Sequence, residues 1–185
     1  DPLVVEDVRC GTQVEIINVS KNSDFLLSEE ALDDVIMEFA LFLTEYPRRK
    51  IIFNGVSVSP MNAWLDKKDY DIGGVQLPDG SIANASLTVI EWNRKVQREL
   101  QYCDLLGFSL YKEKLGQIVR APGYDFTLYA KCDLFKTLSD KNEVSLGELI
   151  PEVKAVKDAI IQRARIHFID KAFTEKSKVI DAWKA

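Results

Sequence analysis

Polar and apolar positions alternate with a period of two through Thr12-Gln13-Val14-Glu15-Ile16, the pattern of a strand with one buried face. The β-branched stretch that continues to Val19 predicts one strand there, closed by a turn at Lys21-Asn22-Ser23-Asp24. The period then lengthens. Leu32, Val35, Ile36, Phe39 and Leu43 share one helical face, behind a Ser28 suited to an N-cap. The acids Glu29, Glu30, Asp33 and Asp34 at its start complement the helix dipole, and Pro47 stops the run. Asn54-Gly55 separates the apolar runs Ile51-Ile52-Phe53 and Val56-Ser57-Val58, a strong hairpin signal.

Residues 61–85 are punctuated by Gly73-Gly74 and Pro78-Asp79-Gly80, which predicts a loop with one irregular strand at most. Ala85 to Trp92 and Glu99 to Cys103 read as extended segments on either side of the charged stretch Asn93 to Arg98. A turn is expected at Leu106-Gly107, while Leu110 to Val119 fits neither period. Tyr124 to Ala130 is aromatic and alternating and reads as the last strand. From Pro151 the spacing is helical, with Val153, Val156, Ile160, Ile161, Ala164 and Phe168 in one stripe and a second helical piece through Val179, Ile180 and Trp183. A bend is expected at Ala172 to Thr174. The elements together predict an α+β fold: a mostly antiparallel sheet packed on helices, with a long C-terminal helical arm.

Composition narrows the class. At 185 residues, 46% hydrophobic and 29% charged, the chain has the balance of a folded globule and is long enough for a core without metal or disulfide staples. Lys and Arg number 24 against 29 acids, a net charge of -5, which has the wrong sign for a protein living on duplex phosphate contacts, so a nucleic-acid partner is not expected. The excess is uneven: residues 151–185 hold eight cations and five acids, leaving the rest strongly acidic. Two roles stay open for this arm, packing on its own body or reaching a partner. The widely spaced Cys10, Cys103 and Cys132 fit a reducing compartment, hence a cytoplasmic location. No apolar stretch approaches the ~18 residues of a membrane span. The chain opens on Asp1 instead of Met, which raises the expectation that it is a piece of a longer polypeptide.

The chemical inventory is thin. His167 is the sole histidine, beside Phe168 on the terminal helix with no cysteine near it in sequence, which favours a structural role over a zinc site. The chain has no GxSxG elbow, Walker lysine loop or GxGxxG fingerprint. Asp71-Ile72-Gly73-Gly74 reads as a bend, and the acids Asp133, Asp140, Glu143 and Glu148 lack calcium-loop spacing. No spacing selects a pair of carboxylates for acid and base work. Cations between strands carry more interest: Arg94, Lys95 and Arg98 in one charged stretch, Lys112 and Lys114 past a turn. A cation so placed can reach a phosphate held by another domain and stabilise charge that develops in transfer.

Gly11-Thr12-Gln13-Val14-Glu15-Ile16 resembles the GTxVxI box that closes the ATP-binding domain of the superfamily of gyrase, the ninety-kilodalton heat-shock chaperone, histidine kinases and mismatch-repair MutL. Phe39 to Pro47, Ile52-Phe53-Asn54-Gly55-Val56, Pro60, Val89-Ile90-Glu91-Trp92 and Tyr102 to Phe108 follow in an order similar to the region downstream of that domain in bacterial members. The resemblance implies three parts: residues 1–24 as terminal strands of a truncated ATP-binding domain, 25–150 as a transducer-like α+β domain, and 151–185 as a helical arm. It implies Gly11 and Thr12 at the edge of a nucleotide pocket, and one of Arg94, Lys95, Lys112 and Lys114 as a contact to the γ-phosphate. The asparagine-bearing acidic helix, DxGxG loop and glycine-rich lid of the superfamily are missing from this sequence. ATP and magnesium are therefore expected in a longer protein, with an N-terminal ATPase domain as partner and a homodimer as one possible assembly. This chain alone is expected to bind no cofactor and hydrolyse no ATP. The alternative is a stand-alone interaction module using the C-terminal helix.

Overall fold

A computed structural model describes residues 25–26, 28–59, 61, 63–141 and 149–184, with the side chains of 178–182 and 184 left aside. The predicted strand and turn before Asp24, and with them Gly11 and Thr12, lie outside the described residues.

Helix α1 spans Glu29–Glu45. The Ser28 side chain accepts from the Ala31 amide at 3.2 Å, so the predicted cap forms. The buried face is rotated from the predicted stripe: Ala40 and Leu41 are fully enclosed, while Leu32, Val35 and Phe39 are only partly covered. Small Ala40 lets the helix approach the sheet closely enough to bury its neighbour. The short strands β1 (Ile52–Phe53) and β2 (Val56–Ser57) form the expected hairpin, with Asn54 and Gly55 at φ 49° and 77°, the left-handed pair that such a turn requires.

The main sheet has five strands: β3 (Trp64–Gln76), β4 (Ile82–Trp92), β5 (Glu99–Cys103), β6 (Ser109–Lys114) and β7 (Phe126–Cys132). Their order is β3-β4-β7-β5-β6, with three antiparallel pairings and one parallel pairing between β5 and β7. β3 is the one irregular strand that the sequence reading allowed within residues 61–85, but it occupies most of the segment expected to be loop. It is a 13-residue edge strand whose register slips at two places, and Gly73 at φ 74° serves the second slip instead of ending the strand.

Both faces of the sheet are covered. Ile90, Trp92, Cys103 and Tyr129 face α1, whereas Leu87, Val89, Leu100, Phe126, Leu128 and Ala130 face helices α2 (Asp133–Asp140) and α3 (Pro151–Lys184). Central β7 is consequently covered on both sides, with every residue but Lys131 buried. α3 runs as one helix through residues 172–174, where a bend was expected, and each residue of its predicted stripe from Val153 to Phe168 is buried. The fold is thus α+β, with a mostly antiparallel sheet and a long C-terminal helix. No helix among the described residues is long and apolar enough to cross a membrane.

Candidate functional site

The sheet order dictates where the charged stretch goes. β7 lies between β4 and β5, so the chain from Trp92 to Glu99 has to step across the start of β7 at the end of the sheet. The Trp92 amide bonds the Asp125 carbonyl at 2.8 Å, which anchors the step at its origin. Arg98 anchors its far side: its guanidinium donates to the carbonyls of Ala121 and Tyr124 at 2.7 and 2.8 Å and lies over the Phe126 ring. Arg98 is therefore a structural clamp, and Arg94 to Gln97 are left as the raised part of the crossing.

This crossing forms one wall of an open groove of about 640 Å³, the opposite wall being α1. Arg94, Lys95 and Lys112 converge on it, while Lys114 stands outside its lining, opposite Glu99 in the β5–β6 register. Three of the four cations selected by sequence thus share one site. Lys95 is the freest, with 89% of its side chain exposed and a single contact to Asp125 at 2.9 Å. Arg94 pairs with Asp33 and Lys112 with Glu38, both acids on α1. The Arg94 Nε is buried and has no hydrogen-bond acceptor among the described residues.

Glu30, Asp33, Asp34 and Glu38 follow one another on the groove side of α1, and Glu99 of β5 joins them. Five acids against three cations leave the lining net negative. Burial pushes the Glu99 carboxyl above the usual range, and Glu38 and Asp34 add to that rise against the pull of Lys112 and Lys114. Among the described residues no group of three or more His, Cys, Asp or Glu is placed to hold a metal ion, and Asp33 and Glu38 are engaged by cations. Burial suppresses the acidity of the thiols Cys103 and Cys132 and favours their neutral form.

A second constellation, on the opposite face, escaped sequence reasoning. Glu91, the partner of Asp66 in the β3–β4 register, is buried under α3, where His167 and Lys171 stand one turn apart. Lys171 donates to Glu91 at 2.5 Å and to Asp66 at 3.2 Å. His167 Nε2 faces Glu91 at 3.3 Å and its Nδ1 faces the Tyr70 hydroxyl at 2.7 Å. A carboxylate only accepts, so Nε2 donates to Glu91, and the Tyr70 hydroxyl is the partner of Nδ1. Arg163 caps the Tyr70 ring at 4.0 Å. Burial alone would raise the Glu91 carboxyl, but the hydrogen bonds and charges of His167 and Lys171 outweigh it and hold the group below the usual glutamate range. Every member of the cluster has its partner inside it, and the role this supports is to fasten α3 to the sheet.

No protein-family model matches the chain, and neither a curated protein nor a solved structure matches it.

Proposed function

We propose that this chain is a non-catalytic, transducer-like portion of a cytoplasmic ATPase of the gyrase, chaperone, histidine-kinase and MutL kind, coupling the nucleotide state of an N-terminal ATPase domain to movement or partner binding. The observation that carries the reading is the convergence of Arg94, Lys95 and Lys112 on one open groove, raised at the sheet end by a chain crossing. A terminal phosphate presented by another domain meets Lys95 first, because that side chain is the least engaged of the three. Its ammonium then stabilises charge developing on the phosphate oxygens, a role that needs no acid or base in this chain. Gly11 and Thr12 belong, in the same reading, to the edge of the nucleotide pocket. ATP and magnesium are bound by the complete protein and not by this portion.

On this reading the 185-residue chain is inert as an ATPase while the longer protein that contains it is active. Steady-state phosphate release by both decides this. Turnover by the 185-residue chain alone, or its absence from the complete product, defeats the proposal.

A second reading is favoured by the distal part of α3, where Ile169 and Phe173 are 66% and 75% exposed and Trp183 is 88% exposed. Here the arm pairs with a second copy of the chain. Sedimentation with and without residues 169–185 tests it: a monomer in both cases rejects the pairing.

A further inference from the structure

Resting on the reading of the groove as a phosphate site, we infer that α1 is a built-in competitor for it: Asp33 and Glu38 hold Arg94 and Lys112 in place of phosphate oxygens, and an incoming polyphosphate must displace them.

Four features support this. Asp33 and Glu38 come from one helix and engage two cations from different parts of the sheet, one on the β4–β5 crossing and one on β6. Both carboxylates are accessible, with 39% and 31% of their side chains exposed, so each can rotate to water without moving the helix. The helix itself is pinned further along. The Tyr129 hydroxyl donates to the Met37 carbonyl at 2.8 Å, Lys131 pairs with Glu45 at 2.5 Å, and Ala40 and Leu41 are fully buried. Displacement is therefore a side-chain event over a fixed backbone.

The fourth feature is the state of Arg94. Its planar guanidinium presents donors suited to two acceptor oxygens, yet Nε is buried and has none. A phosphate brings several oxygens where Asp33 brings one carboxylate, so exchange offers the guanidinium more acceptors than the pair it replaces. The net negative lining resists every anion, the more so the higher its charge, so a polyphosphate enters only by replacing Asp33 and Glu38 on their cations.

The probe is inorganic tripolyphosphate, titrated into the 185-residue chain at low salt and followed by calorimetry. Asp33→Asn with Glu38→Gln is expected to tighten binding roughly tenfold, the sum of two half-exposed pairs, with the gain fading as salt is raised. Adding Arg94→Ala removes the gain. Asp140→Asn with Asp158→Asn deletes the same charge elsewhere and is expected to change affinity little. Circular dichroism verifies folding, and Glu38→Gln alone, which keeps the Arg94 pair, gives a smaller gain in the same direction. Unchanged or weaker binding in the α1 variants overturns the inference, as does equal tightening in the distant control. ATP hydrolysis by the complete gene product is read separately. No hydrolysis there rejects the proposed function while leaving the tripolyphosphate result to decide the inference; active hydrolysis that Asp33→Asn with Glu38→Gln does not alter at sub-saturating ATP overturns the inference alone.

Discussion

Replacing Glu91 by Gln removes one charge from the cluster that fastens α3 to the sheet while keeping the shape of the side chain. Breaking a buried ion pair from one side costs about 3–5 kcal/mol, because the other charge is left uncompensated. Two features of this structure reduce that figure. Lys171 keeps 24% of its side chain in solvent and retains Asp66 at 3.2 Å, and the Gln oxygen can still accept from His167. The expected loss is therefore about 1.5–3 kcal/mol at pH 7. The pH dependence sharpens the test. The Glu91 carboxyl is held below its unfolded value, so its contribution is complete above that value and disappears as pH falls through the folded one. Urea unfolding followed by fluorescence, with buried Trp92 next to the site as reporter, measures the difference. The gap between wild type and Glu91→Gln is expected at pH 7 and should close as pH falls below the ordinary glutamate value of about 4.3. Glu91→Leu with Lys171→Met is expected to lose less than the single change, since no charge is stranded. Equal midpoints at pH 7, or a gap that persists unchanged in acid, refute the reasoning.

The remaining expectations concern the two faces of the sheet. Tyr129→Phe removes the hydrogen bond from the sheet to the Met37 carbonyl of α1 and is expected to cost about 0.5–1.5 kcal/mol in chemical denaturation without changing the fold by circular dichroism. Phe135→Ala empties a fully buried site under α2 and should cost about 3–5 kcal/mol by the same assay. Glu99→Gln is expected to melt higher than wild type at pH 7. The folded carboxyl titrates above its unfolded value, so ionised Glu99 opposes folding at neutral pH, and that difference vanishes once both states are protonated below pH ~4.

Much of this architecture was legible where the signal is local. The Ser28 cap, the acidic first turn and Pro47 delimit α1 to within a few residues, and the stripe from Val153 to Phe168 names the buried face of α3 because its spacing is set by the helix alone. The length of β3, read as a loop with one irregular strand, was hidden for a physical reason. An edge strand presents charged residues such as Lys67, Lys68 and Asp69 on a solvated surface, and Gly73 in a register slip looks in sequence like Gly in a turn. α2 is eight residues long, buries only Phe135 and Leu138, and has no side-chain cap from Cys132, so no pattern accumulates over its length. The site divides in the same way. Arg94, Lys95 and Lys112 stood out as cations between strands, but their pairing with Asp33 and Glu38 depends on how α1 crosses the sheet. His167 meets Tyr70 and Glu91 across separations of 97 and 76 residues, beyond the reach of any periodicity.

The central claim is that the groove between α1 and the β4–β5 crossing serves a phosphate bound elsewhere. Its most direct test is the ATPase rate of the complete gene product carrying Lys95→Ala, measured at saturating ATP and magnesium. A fall in kcat of about 10²-fold with little change in KM is the predicted result, as for loss of a cation that acts on transition-state charge. A kcat equal to that of the unmodified protein contradicts the account.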